Sequence, residues 1–301
     1  MTLEKNFSQK FGNNFNKNVN LSNYSWFNLG GNAEFFYKAK NKNQLIEFLR
    51  EAKNEKLKTT ILGAGSNTLF RDNGIKGAVI KLGKDFSYTK LIDKDILEVG
   101  AATLDRTAAN FAKDKNLGDL EFLSCIPGSI GGAIIMNSGC YGNDISKILL
   151  SIQAIDKNKL SEIEIKKNDI KFSYRGTNLP DNLIIISAKF KCTTSQKDQV
   201  EKKQFELIER KKLSQPSQIK TCGSTFKNIS KERKAWMVIK EAGCEHYQEG
   251  DAMISQKHCN FFVNNGNAKS SDIENLINKV KKTVQEKTGI DLELEIKIIG
   301  D

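Results

Sequence analysis

Five glycines and no charged residue fall in the eighteen residues CIPGSIGGAIIMNSGCYG (125–142), in a chain otherwise dense in Lys, Asn and Ile. Glycine costs backbone entropy on folding, so such a cluster marks positive φ or close approach of the backbone to something else. At its centre lie Ile126, Pro127, Gly128, Ser129, Gly131, Gly132 and Ala133: a Pro-Gly turn, a serine, then a double glycine. Small residues let a flat or extended ligand lie on the backbone, where amide N–H groups can hold phosphate oxygens. A second loop, Gly63, Ala64, Gly65, Ser66 and Asn67, has the same capacity through its amides, the Ser66 hydroxyl and the Asn67 side chain. Each loop alone also reads as a tight turn. Together, in one α+β region, they point to a large phosphate-bearing cofactor. The second loop is no GxGxxG fingerprint, because Thr68 takes the place of the third glycine and LFRDNGIKG follows without helical period.

The elements that must carry these loops read as alternating helices and strands. NQLIEFLREAKNEK (43–56) has a helical apolar stripe, and a strand from LKTTIL enters the first glycine loop. GAVIKLG and ILEVGA read as strands; TLDRTAANFAKDKNLGD reads as a helix with Thr103 as N-cap and Gly118 as its stop. LSIQAID, SEIEIKK and NLIIISAKFKC follow as strands, the last nearly all apolar and therefore central. VEKKQFELIERKKL is a charged helix. Beyond it, SKERKAWMVIKEAG reads as a helix with Ser230 as N-cap and Gly243 just past its end. SSDIENLINKVKKTVQEKTG carries a clean i, i+3, i+4, i+7 stripe, and CNFFVNN and LELEIKIIG alternate as strands. The expected division is a polar arm over 1–20, a two-part cofactor domain over 21–195 split near 83, and a C-terminal α+β domain over 215–301.

With 301 residues, 39% hydrophobic and 28% charged, the chain has the composition of a folded globular protein. Its formal charge of +11 comes almost wholly from lysine. That excess is either a compositional bias over solvated faces or a surface that attracts anions. No basic run interleaved with aromatics supports nucleic-acid binding, and no apolar run approaches a membrane span. The start has no apolar signal-peptide region, and six scattered cysteines without CxxC spacing read as reduced thiols, not as a metal site or disulfide framework. A cytoplasmic monomer acting on small molecules is expected, with neither nucleic acid nor membrane as partner.

At the level of motifs the chain resembles the UDP-N-acetylenolpyruvylglucosamine reductase family. The resemblance rests on NLGGNAE (28–34), ILGAGSNTLFRDNG (61–74), LEFLSCIPGSIGGAIIMNSGCYG (120–142), FSYRGTNL (172–179), QPSQIKTCGSTFKN (215–228), EAGC with GDAMISQKHCNFFVNNGNA (241–268), and LELEIKIIG (292–300), in family order. It implies a two-part FAD-binding domain of the PCMH/vanillyl-alcohol-oxidase type, with both glycine loops on FAD, followed by a C-terminal substrate-binding domain. It further implies reduction of UDP-N-acetylglucosamine enolpyruvate to UDP-N-acetylmuramate with NADPH as cosubstrate. The chain lacks the extra tyrosine loop of longer members, so it is similar to the shorter type.

The reaction so implied needs a cationic fork for a carboxylate, an acid beside it, and a proton donor. The resemblance assigns these to Arg175, Glu295 and Ser224. Arg175 is one of only six arginines in a lysine-rich chain, and a guanidinium suits a planar carboxylate bidentately; on its own it also reads as an interdomain ion-pair partner. Ser224 by itself is a loop hydroxyl, with Cys222 as a rival donor. Strand periodicity does not separate Glu293 from Glu295. Tyr141, Asn228 and His258 fall on the family's substrate-contacting positions. The sequence leaves one rival enzyme class, a flavin oxidase of the same cofactor fold acting on a small alcohol or hydroxy acid.

Overall fold

A computed structural model describes residues 3–301 and divides the chain into two compact units. Of the described residues, the first comprises 3–17, 35–64 and 77–211, and the second 18–34, 65–76 and 212–301. The inclusion of 18–34 and 65–76 in the second unit differs from a simple division by sequence.

Eight helices run in chain order through the described residues: α1 (Leu3–Phe11), α2 (Lys42–Asn54), α3 (Asp105–Asp114), α4 (Ile130–Ile135), α5 (Ile145–Ile148), α6 (Lys197–Ser214), α7 (Ala235–Glu241) and α8 (Ser270–Thr288). α1 corrects the expectation of a loose polar arm, of which Met1 and Thr2 lie outside the described residues. Phe7 and Phe11, one turn apart, are both buried. Phe7 packs edge-on against Phe48, whose ring stacks on Tyr37 at 4.0 Å between centroids. Buried aromatic surface of this size is worth more than the polar character of the flanking residues.

The first unit holds a five-stranded antiparallel sheet in the order Ser161–Lys166, Leu149–Asp156, Leu183–Lys191, Ile96–Gly100, Thr89–Asp93. The apolar strand 183–191 is its middle member, as its run of Leu and Ile requires. Strand Thr59–Leu62, which leads into the first glycine loop, pairs in parallel with Ile75–Leu82 from Thr59↔Ala78 to Leu62↔Lys81. Thr103 does not cap α3. Leu104 takes the N-cap position, and the Thr103 hydroxyl donates to the Tyr88 carbonyl at 2.9 Å; the helix ends at Asp114, before Gly118.

In the second unit Phe226, Phe262, Ile239, Leu276, Ile277 and Val280 belong to one core. Gly289 ends α8 in the left-handed conformation at φ +70, and Gly243 sits past α7 at the same angle. Ser230 is not the N-cap of α7, which begins five residues later. Its hydroxyl instead accepts from the Glu232 and Arg233 amides in a local turn. LELEIKIIG is strand only over Lys297–Ile299, paired in parallel with Thr68–Phe70. Ahead of it a single antiparallel bridge joins Leu294 to Phe226. Among the described residues no helix is long and apolar enough to cross a membrane.

Candidate functional site

The two glycine loops contain two kinds of glycine. Gly65 is fixed by its own neighbourhood: its φ is +70, and a Cβ there would stand 1.7 Å from the Tyr24 carbonyl oxygen. Gly131 is likewise a packing residue. Its amide donates to the Ala101 carbonyl at 2.9 Å, so that N–H is not available to a phosphate, and a Cβ would press on Ala101 at 3.2 Å. Gly63 and Gly132 differ from both. Each is exposed, and each faces the Ser129 hydroxyl, at 3.0 Å and 3.8 Å from where a Cβ would stand.

Ser129 completes that arrangement. It precedes α4, its carbonyl accepts from the Ala133 amide, and its neighbour Ile130 donates to Thr103. The Ser129 side chain is buried, and its hydroxyl oxygen has no hydrogen-bond partner. A buried hydroxyl left unpaired costs about 1–3 kcal/mol, so its persistence calls for a partner. Flanked by two glycine backbones, it fits a phosphate- or ribose-bearing group laid across residues 63 and 129–132. These residues fit FAD on that ground. Ile126, Pro127 and Gly128 lead into the cradle, Gly128 accepting the Asp105 amide at 3.1 Å. Ala64 follows Gly63 in the first unit, while Ser66 and Asn67 fall in the second. There the Asn67 side chain is committed to the Glu295 carbonyl at 3.0 Å, and its own carbonyl accepts from Lys297.

Sequence reasoning missed Asp105. It stands in the first turn of α3, fully buried, with neither carboxylate oxygen hydrogen-bonded. Burial raises its pKa well above the ordinary carboxylate range and so favours the protonated form. In the sequence it looks like any acid complementing a helix N-terminus.

Still in the first unit, Arg175 occupies a two-residue turn between strands Phe172–Ser173 and Gly176–Thr177, at φ +60. Asn137 anchors this hairpin by donating to the Ser173 carbonyl at 3.1 Å. A left-handed arginine is a strained choice, of the sort concentrated at functional sites. Its guanidinium lies 5.0 Å from the Tyr174 ring centre. Tyr141, also left-handed at φ +52, has the Arg210 guanidinium over its ring at 4.6 Å.

Ser224, Asn228, His258 and Glu295 belong to the second unit. Gly223, at φ +82, sets the turn before Ser224, and Ser224 bridges Phe261. Glu295 donates its amide to the Thr225 carbonyl at 2.9 Å, and Lys227 donates to the Glu293 carbonyl at 2.8 Å. The residues after Ser224 and the two glutamates are thus one short antiparallel pairing. The glutamates are unlike each other: Glu293 is exposed and ion-paired to Lys227 at 3.2 Å, whereas Glu295 is half-buried with its carbonyl held by Asn67. Asn260, also missed, clamps the strand by bonding both the amide and the carbonyl of Phe226, at 2.9 and 2.8 Å. His258 accepts from the Asn260 amide through Nδ1 at 3.2 Å, and burial lowers its pKa, favouring the neutral ring. Asn228 accepts the Ala235 amide at the start of α7. Cys222 is buried and bonded to the Thr68 carbonyl at 3.4 Å, with its thiol pushed up to about 12, chiefly by burial, so it is a poor rival to Ser224.

Residues 33–159 match the FAD binding domain family, and residues 215–299 match the C-terminal domain of UDP-N-acetylenolpyruvoylglucosamine reductase. The chain is 43% identical over 303 residues to the UDP-N-acetylenolpyruvoylglucosamine reductase of Pelagibacter ubique, covering 99% of this chain and 100% of that one. It is 42% identical to that of Orientia tsutsugamushi, covering 97% and 96%. The crystal structure of the Thermus caldophilus reductase superposes with a TM-score of 0.82 at 29% identity, covering 94% of this chain and 98% of that one. The α+β reading, an FAD-binding domain followed by a reductase C-terminal domain, therefore holds, and the chain belongs to the UDP-N-acetylenolpyruvoylglucosamine reductase family.

Proposed function

We propose that this chain reduces UDP-N-acetylglucosamine enolpyruvate to UDP-N-acetylmuramate, with FAD bound and NADPH as the source of electrons, as a cytoplasmic step of peptidoglycan synthesis. The observation that carries the reading is the short pairing that joins the Ser224–Thr225 segment to Glu295. It belongs to a chain whose glycine cradle fits a phosphate-bearing cofactor. When bound, FAD supplies two-electron hydride chemistry linking NADPH to the enolpyruvyl double bond.

The residues then have separable tasks. Hydride arrival at the terminal carbon moves negative charge onto the substrate carboxylate, and the Arg175 fork stabilises it bidentately. Glu295 is the acid that this step requires. The Ser224 hydroxyl gives its proton to the adjacent carbon; so basic a carbanion needs a positioned donor more than an acidic one. Lys227 is paired with Glu293 and is left out of this step. Tyr141, Asn228 and His258 hold the sugar nucleotide.

Stopped-flow kinetics of Ser224→Ala test this assignment. NADPH should reduce the variant's flavin at close to the wild-type rate, while reoxidation by substrate slows by orders of magnitude. Equal slowing of both half-reactions would remove Ser224 as proton donor.

A further inference from the structure

Two of the six cysteines touch, and the reaction above uses neither. Cys125 ends the turn Glu121–Cys125, and Cys140 lies on the short strand Gly139–Cys140 packed against it. Cys140 Sγ lies 3.5 Å from the Phe122 carbonyl, and the two thiols are hydrogen-bonded to each other. The Ser124 hydroxyl sits 3.9 Å from the Cys125 sulfur. Lys211 reaches the Cys125 carbonyl at 2.5 Å and places its charge beside both sulfurs. Arg175 adds positive charge on the Cys140 side.

This is a thiolate-stabilising environment, and the other cysteines lack it. The hydrogen bond with Cys140, aided by Ser124 and Lys211 against the effect of burial, lowers the pKa of the Cys125 thiol, while the same pairing and burial raise that of Cys140. Cys192 and Cys222 are pushed the other way, to about 12, chiefly by burial. Cys125 is buried and Cys140 partly exposed, so a small hydroperoxide reaches Cys125 from the Cys140 side.

We propose that Cys125 and Cys140 form a peroxide-oxidisable dithiol, with Cys125 as the attacking and Cys140 as the resolving sulfur. The Cys125 thiolate attacks a peroxide oxygen, the O–O bond breaks, and the departing oxygen leaves as water or alcohol. The Cys140 sulfur then displaces hydroxide from the Cys125 sulfenic acid, and its thiol proton leaves with that hydroxide as a second water. Two thiols lose two electrons and the peroxide gains them. The resulting disulfide ties the residue before Tyr141 to the start of the Ile126–Ala133 loop.

No Lys or Arg lies between Asn116 and Lys147, so trypsin releases both cysteines, and no others, on one peptide. Purified FAD-loaded protein is treated with dilute hydrogen peroxide, alkylated with iodoacetamide, digested and weighed. The peptide should emerge unalkylated and lighter by two hydrogens, and dithiothreitol should reverse the change, at a dose that leaves Cys192 and Cys222 alkylated. In Cys140→Ser the oxidation should stop at a Cys125 sulfenic acid that dimedone captures. A peptide that still takes two alkyl groups after peroxide would overturn the proposal, as would oxidation of Cys192 or Cys222 at the same dose, or a Cys140→Ser protein inert to dimedone.

Discussion

The loop around Ser129 and the segment from Cys222 to Asn228 are both marked by glycine and rich in polar groups, yet they treat those groups in opposite ways. Around Ser129, a buried hydroxyl and, on the helix bonded to Gly128, a buried carboxyl have no partners. In 222–228, Cys222 bonds Thr68, Thr225 and Phe226 bond Asn260, Lys227 bonds Glu293, and Asn228 bonds Ala235; of the buried side-chain oxygens there, the Thr225 hydroxyl lacks a partner. A region that leaves buried polar atoms unpaired is shaped for something it binds. One that pairs nearly all of them is a rigid mount, and its chemistry belongs to the side chains it presents. This contrast supports the proposal that the first region binds the cofactor and the second delivers the proton.

The largest effect is expected away from both, at the charge fork. Arg175→Lys keeps the charge and loses the bidentate geometry, and should slow substrate reduction by on the order of 10²–10³-fold, the loss typical of one charge-stabilising donor. Single-turnover rates measure it; a loss under tenfold would mean that charge alone suffices.

Breaking the mount comes next. Asn260→Ala leaves the Phe226 amide and carbonyl unpaired in a fully buried position. Denaturant unfolding should show a loss of about 2–6 kcal/mol, from two buried groups at roughly 1–3 kcal/mol each. Ser224→Ala, in the same segment, should leave stability unchanged.

A smaller effect concerns Asp105. Its folded-state pKa is raised, so the folded chain holds a proton that the unfolded chain releases near pH 4. The associated stability is complete below about pH 4 and falls as pH rises toward the folded value. Asp105→Asn should flatten that decline in apoprotein unfolding measured from pH 4 to 8. An unchanged slope would mean that the carboxyl is ionised.

How far the sequence could show this depends on the range of the signal. Periodic helices such as α2 and α8, and the central strand 183–191, were legible because their burial pattern is local. The glycine loops were legible as places of close approach. Their division was not, since only packing against Tyr24 and Ala101 separates Gly65 and Gly131 from Gly63 and Gly132. Glu295 was inseparable from Glu293 while both seemed to lie on a strand; what distinguishes them is exposure and Asn67, 228 residues away in sequence. α1 departs from the expected polar arm because the burial of Phe7 and Phe11, one turn apart, outweighs the polar residues around them. The joining of 65–76 to the C-terminal unit rests on the parallel pairing of 68–70 with 297–299, for which no short-range pattern exists.

The assignment of the Ser129 cradle to FAD is tested most directly by FAD titration of Ser129→Ala apoprotein, with unfolding measured alongside. Removing a hydroxyl that has no protein partner should leave the apoprotein at least as stable as wild type. It should weaken FAD binding by about tenfold, the equivalent of one lost hydrogen bond of roughly 1.4 kcal/mol. A variant that binds FAD as tightly as wild type, yet unfolds more easily, would show that the hydroxyl serves the fold and that the cofactor is held elsewhere.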